Sequence, residues 1–104
     1  MIKRKRIEKY ARKGKILDIG CGRGLFLDIM RRGGWEVEGS ELNNETASYA
    51  KQVYDLKVHA GGIAEQSLAS ESFEVINICG VLAMEAVQMT HRIMAKMIII
   101  LLEA

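Results

Sequence analysis

Residues 16–24 combine a carboxylate with three glycines at a spacing that could hold a cofactor. The string reads Ile-Leu-Asp-Ile-Gly-Cys-Gly-Arg-Gly, so that Asp18 stands two positions before Gly20. Glycines at positions 20, 22 and 24 leave no Cβ between the backbone and a ligand, which can then lie beside the amides at the start of a helix. We therefore predict a nucleotide-cofactor site at this turn.

The spacing of these glycines favours some cofactors over others. The dinucleotide fingerprint G-x-G-x-x-G would require glycine at position 25, where the chain has Leu25, so NAD is disfavoured. A second acid, Glu41, follows Gly24 by 17 residues, where doubly wound folds place a carboxylate on the ribose hydroxyls. Glu41 is therefore predicted to accept two hydrogen bonds from a ribose diol.

Alternating strands and helices are needed to position these groups. Short apolar runs alternate with helical periodicity along the chain, a pattern typical of a parallel sheet with right-handed crossovers. The predicted helices span 2–13, 25–32, 44–54 (capped by Asn43) and 82–95, and the predicted strands span 15–19, 35–41, 56–59, 73–79 and 97–102. The apolar positions expected to face the core are Leu25, Phe26, Ile29 and Met30 in the second helix and Ala47, Ala50, Val53 and Tyr54 in the third.

The glycine turn resembles the first motif of class I S-adenosylmethionine-dependent methyltransferases, in which two apolar residues, an acid and an apolar residue precede Gly-x-Gly-x-Gly. Residues 37–43 look like the second motif of that family. Residues 60–65 and 71–76 look like its third-strand loop and its fourth strand. The resemblance thus extends over residues 15–102, almost the whole chain.

The resemblance implies a fold and an activity. The fold would be an α/β, Rossmann-like three-layer sandwich with a mostly parallel sheet of order 3-2-1-4-5, lacking the usual strands 6 and 7. S-adenosylmethionine would be the cofactor and S-adenosylhomocysteine the product, with methyl transfer to an unidentified acceptor. A noncatalytic cofactor-binding remnant, or a subunit of a larger assembly, is the alternative.

The resemblance also assigns individual residues to the cofactor. Asp18 would interact with its methionine end, often through water, and Leu42 would pack on the adenine. The loop after the third strand would offer backbone amides to the adenine, because Ile63 replaces the acid that is common there. The implied cofactor-binding residues are Asp18, Gly20, Cys21, Gly22, Glu41, Leu42, Ile63, Ala64 and Cys79.

The C-terminal segment departs from the family pattern. Residues 80–84 lack the polar groups common after the fourth strand, so no general base is identified, and no Lys-Pro-Gly-Gly turn precedes the last strand. Without strands 6 and 7, the apolar strand 97–102 becomes a sheet edge, which is a site of association. A truncated methyltransferase is therefore expected, with a second copy of the chain covering this edge in a dimer.

Composition sets the remaining limits. The 104 residues, 49% hydrophobic and 27% charged with no proline, indicate one globular domain over 1–104 and exclude disorder. Residues 1–15 carry eight basic side chains and one acidic. A solvated basic leading helix over 1–14 is favoured over a nucleic-acid-binding arm, because no nucleic-acid-binding motif accompanies the charges. A small-molecule acceptor is accordingly favoured over RNA.

The cysteine count and the apolar runs bear on location. Two cysteines and the absence of a signal peptide predict a reduced, cytoplasmic setting. The longest apolar run, 97–102, has six residues, far below the ~20 that span a bilayer, so no membrane partner is expected. His59 and His91 have no ligand cluster around them, so no metal is expected.

Overall fold

The computed structural model describes residues 2–61, 73–79 and 98–102. Its strands form one five-stranded sheet in the order β3-β2-β1-β4-β5, with every neighbouring pair parallel. The predicted fold class and strand order are confirmed. The elements in chain order are α1 (Ile2–Glu8), β1 (Lys15–Ile19), α2 (Leu25–Arg32), β2 (Glu36–Glu41), α3 (Asn44–Tyr54), β3 (Val58–Ala60), β4 (Val75–Cys79) and β5 (Ile98–Leu102).

The core lies between one face of the sheet and helices α1, α2 and α3. Alternate residues of a strand point to opposite faces, and the parallel register aligns Ile16 of β1 with Val75 of β4. Both side chains are fully buried. The helices contribute buried apolar side chains to the same cluster: Ile7 from α1, Phe26, Leu27 and Met30 from α2, and Ala47 and Ala50 from α3.

The leading helix is shorter than the periodicity predicts. It ends at Glu8 instead of continuing to residue 13 or 14, and the amides of Tyr10 and Ala11 both donate to the carbonyl oxygen of Ile7, at 3.0 and 3.1 Å. Ile7 is 1% exposed, whereas Tyr10 is 70% exposed. Because burial of an apolar face supplies most of the stability of a short helix, the helix ends soon after Ile7.

Two of the predicted helix faces also need correction. Leu25 is 61% exposed and Val53 is 54% exposed, whereas Leu27 is fully buried. Periodicity predicts that each helix has an apolar face, but it does not fix to within one residue which side of α2 or α3 packs on the sheet. Residues at the boundary of the predicted apolar face are therefore assigned wrongly. Asn43 is confirmed as the cap of α3, since its Oδ1 accepts from the amide of Thr46 at 2.9 Å.

Strand boundaries shift for local reasons. Trp35 is not in β2: its amide donates to the carbonyl of Met30 at 3.1 Å, which closes the turn after α2. Leu56 precedes β3 because Asp55 takes a left-handed conformation, φ 56°, and the buried Phe73 precedes β4. The predicted helix 82–95 lies outside the described residues, and no helix within them is long and apolar enough to cross a membrane.

A buried carboxylate ties together the three strands on one side of the sheet. Glu38 of β2 is 1% exposed. Its Oε2 lies 2.5 Å from Nε2 of His59 on β3, and its Oε1 lies 3.1 Å from Nζ of Lys57 and 3.7 Å from Nζ of Lys15 on β1. Burying a carboxylate is costly unless cations pair with it, and here Lys15 of β1 and Lys57, which precedes β3, pair with it.

Candidate cofactor site

The predicted site residues that the structure describes lie at the carboxyl ends of β1, β2 and β4. Asp18 lies on β1, Glu41 ends β2, and the glycine turn connects β1 to α2. The amides of Gly20 and Cys21 both donate to the carbonyl oxygen of Ser40 at 2.9 Å, which fixes the start of this turn against β2. In open α/β sheets this edge is where ligands bind.

Two glycines of the turn serve different purposes. Gly22 has φ +60°, and a Cβ built there meets no atom of the described chain within 4 Å. Gly24 has φ +92°, and a Cβ there would lie 2.6 Å from Cδ1 of Leu56 and 3.0 Å from Cβ of Ala50. Gly24 therefore permits close packing of helix α2 on the protein, whereas Gly22 leaves backbone open to a ligand.

Asp18 is a buried carboxylate with one amide partner. It is 4% exposed, and its Oδ1 accepts a hydrogen bond of 2.7 Å from Nδ2 of Asn77. Burial raises the pKa of Asp18 from 3.8 to about 6; the Asn77 hydrogen bond and the Lys3 charge oppose this shift, and the Glu41 charge adds to it. Burial thus disfavours the ionised form of Asp18, and a cationic ligand beside the carboxylate would favour it.

The Glu41 carboxylate accepts two backbone hydrogen bonds at the site. Its Oε1 accepts from the Gly22 amide and its Oε2 from the Asn43 amide, both at 2.9 Å. The carboxylate thereby connects the glycine turn to the cap of α3. Each oxygen keeps a further lone pair, so the same group can accept two ribose hydroxyls, as the sequence predicts.

The remaining predicted residues have distinct environments. Leu42 follows Glu41 and is 59% exposed, so its side chain is available to a flat apolar ligand. Cys21 is buried, and burial raises the pKa of its thiol to about 12, which leaves the thiol unreactive. Cys79 is the last residue of β4, and Ile63 and Ala64 lie outside the described residues.

Two residues near Asp18 are missing from the set predicted from sequence. Asn77 was visible as one polar position in an apolar strand, but its partner lies 59 residues away and emerges only from the register of β1 and β4. Lys3 of α1 places Nζ 4.1 Å from the ring centroid of Phe26, and its charge acts on Asp18. The sequence shows Lys3 only as one of several basic residues near the start of the chain, which does not predict its place near Phe26 and Asp18.

The residues present fit S-adenosylmethionine. An acid able to pair with an ammonium group, an acid with lone pairs for a diol, an open glycine and an exposed leucine stand in chain order around one turn. No cluster of three His, Cys, Asp or Glu side chains suited to a metal occurs in 2–61, 73–79 and 98–102. The acids Asp18 and Glu41 beside the open turn suit an organic cation with a diol.

Comparisons with known proteins agree with this geometry. The sequence profile of a family described as "Methyltransferase domain" matches residues 3–97, and the chain belongs to that family. The fold and family predicted from the sequence are thereby confirmed. No curated protein matches the chain.

Solved structures give the same class. A TehB-like SAM-dependent methyltransferase from Corynebacterium glutamicum is 28% identical over 74% of this chain and 43% of its own, with a TM-score of 0.58. A SAM-dependent methyltransferase from Archaeoglobus fulgidus is 24% identical over 78% and 38% of the two chains, with a TM-score of 0.57. Magnesium protoporphyrin IX methyltransferase from Synechocystis, with bound SAH, is 19% identical over 92% and 49%, with a TM-score of 0.63. The chain thus spans less than half the length of each of these proteins.

Proposed function

We propose that this chain binds S-adenosylmethionine and serves in methyl transfer to a small-molecule acceptor. The observation that carries the proposal is the pair of acids, Asp18 on β1 and Glu41 at the end of β2, at the turn that contains the open backbone of Gly22. The family and the cofactor named for the C. glutamicum structure, which is 28% identical, support it. A small acceptor is supported by the Synechocystis neighbour, whose name gives a magnesium porphyrin.

The chain's own groups would divide the cofactor between them. Asp18 would accept a hydrogen bond from the ammonium group, Glu41 would accept the ribose hydroxyls, and Leu42 would pack on the adenine. When bound, the cofactor supplies a methyl group attached to a sulfonium. The protein contributes to such a transfer mainly by orienting donor and acceptor. Anchoring the cofactor at both ends would orient the donor.

Calorimetric titration with two ligands tests the proposal. S-adenosylhomocysteine should bind with micromolar affinity, and Asp18→Ala should weaken it by about tenfold or more, since hydrogen bonds to charged groups contribute about 1.5–3 kcal/mol. Against 5′-methylthioadenosine, which lacks the amino-acid end, Asp18→Ala should have little effect, whereas Glu41→Ala should weaken both ligands. Val53→Ala, on the exposed side of α3, is the matched control.

Three outcomes would contradict parts of the proposed function. No binding of either ligand by the wild-type chain would refute the site. Binding that Asp18→Ala weakens equally for both ligands would refute the orientation, because the acid would not be at the amino-acid end. Binding without release of S-adenosylhomocysteine from S-adenosylmethionine, across a panel of acceptors, would favour the noncatalytic alternative.

We also propose a reducing, cytoplasmic location. It is supported by Cys21, a free thiol packed in the core beside Gly39, where a built Cβ would lie 2.8 Å from its Sγ. Mass spectrometry of protein isolated under thiol-trapping conditions should find Cys21 reduced. A mixed disulfide at Cys21 would contradict both the location and the packing.

A further inference from the structure

Asn77 is a buried polar residue in an apolar strand. It is 1% exposed, and its neighbours on β4, Ile76 and Ile78, are fully buried. The parallel register places it directly beside Asp18. Its Nδ2 donates to Oδ1 of that carboxylate over 2.7 Å.

Stability alone does not explain an amide at this position. The Oδ1 atom of Asn77 is buried and accepts no hydrogen bond from any residue the structure describes. An unpartnered buried acceptor destabilises a fold relative to an apolar side chain of similar shape. The amide therefore gives one hydrogen bond to Asp18, while its own oxygen has no partner in the part of the chain that the structure describes, which favours a role at the ligand over a role in the core.

We propose that Asn77 is a positioning residue for the cofactor: its donated hydrogen bond holds the Asp18 carboxylate in its charged form and leaves Oδ2 for the ammonium group. The inference rests on the proposed function, because the ammonium belongs to the proposed cofactor. Asn77 acts through Asp18, and no contact between Asn77 and the cofactor is required.

The surroundings of Asp18 make this hydrogen bond matter. Burial disfavours the carboxylate, and Glu41 from β2 repels it. Asn77 from β4 and Lys3 from α1 favour it, with Asn77 the larger of the two, and the thiol of Cys21 in the turn stays neutral. The amide of Asn77 carries no titratable proton, so any pH dependence of its effect comes from Asp18.

The test is the pH dependence of S-adenosylhomocysteine binding in Asn77→Leu. In the wild type, affinity should rise as pH increases through about 6, where Asp18 ionises. Removing the hydrogen bond raises the pKa of Asp18, so the midpoint should move to higher pH, by about one unit. Affinity should then fall by about tenfold near pH 5 and by only about twofold at pH 7. A purely structural role would lower affinity equally at every pH.

Further variants keep the test decisive. Asn77→Val, which suits a strand, replaces Asn77→Leu if the latter does not fold, and Ile76→Val is the control on the same strand. In an Asp18→Asn background, Asn77→Leu should change affinity at pH 5 by less than about twofold, because the residue through which it acts has lost its charge. An unchanged midpoint in both Asn77 variants would overturn the inference and leave the proposed function standing. Absence of wild-type binding at every pH would overturn both.

Discussion

Asp18 shows how a single side chain can favour the ligand at the expense of the fold. Its carboxylate is 4% exposed, and among the residues that the structure describes Asn77 donates a hydrogen bond to it. Desolvation therefore penalises the charged form, which is the form that a cationic ligand needs. Such a group is useful when the ligand is present and costly when it is absent.

Asp18→Asn should therefore stabilise the ligand-free protein near neutral pH. The pKa in the folded protein is about 6 against 3.8 for the free group, so the folded state binds more protons between these values and its stability falls as pH rises through them. The full effect, about 3 kcal/mol, is present above pH 6 and absent below about pH 4. Urea unfolding at several pH values should show the gap between variant and wild type opening over that window. Parallel stability curves would contradict the burial of charge at Asp18.

Leu42→Ala tests the opposite end of the site. The side chain is 59% exposed, so its removal should leave the unfolding free energy unchanged within about 0.5 kcal/mol. Loss of apolar contact with the adenine should weaken S-adenosylhomocysteine by about five- to tenfold. Calorimetry on this variant and on Val53→Ala, equally exposed on α3, distinguishes ligand contact from general surface effects. Equal affinities in the two variants would remove Leu42 from the site.

At the scale of elements, the turn between β1 and α2 was predictable because its information is local. Three glycines and an acid within nine residues specify it without reference to the rest of the chain. The exposure of Leu25 and the early end of α1 at Glu8 were not predictable, since both depend on where the sheet lies. The pairing of Asn77 with Asp18 likewise needs the register of two strands that are far apart in sequence.

Gly22→Ala and Gly24→Ala should separate binding from folding within this turn. Alanine at Gly22 has open space but a positive φ, so it should cost about 1–2 kcal/mol and yet weaken S-adenosylhomocysteine by tenfold or more. Alanine at Gly24 meets Leu56 and Ala50 and should destabilise the fold by more than Gly22→Ala does. Thermal unfolding and calorimetry on both variants measure this. A Gly22 variant that binds normally would place the ligand elsewhere.

At the scale of the molecule, the two edges of the sheet differ. Helices α1, α2 and α3 pack on one face, and β3 at one edge is fastened to β2 through Glu38. At the other edge β5 pairs with β4 along five residues, and no other described strand pairs with it. An apolar strand at a sheet edge presents backbone N–H and C=O groups that can pair with a further strand.

We therefore predict that the 104-residue chain associates through β5. Sedimentation equilibrium should give a concentration-dependent dimer, and the midpoint of thermal unfolding should rise with protein concentration, as expected when association stabilises the folded state. A monomer whose unfolding midpoint is independent of concentration would contradict the prediction. The expected dimer concerns β5 alone and is independent of cofactor binding.

The indole of Trp35, the one tryptophan in the chain, joins the leading helix to the body of the protein. It is 3% exposed and donates to Oε2 of Glu8 at 2.9 Å, while Lys3, five residues before Glu8, lies over Phe26 near Asp18. Its fluorescence is therefore an intrinsic reporter of whether α1 is docked. A red shift in emission that precedes loss of the far-ultraviolet circular dichroism signal would reveal α1 opening beside the cofactor site while the sheet stays intact.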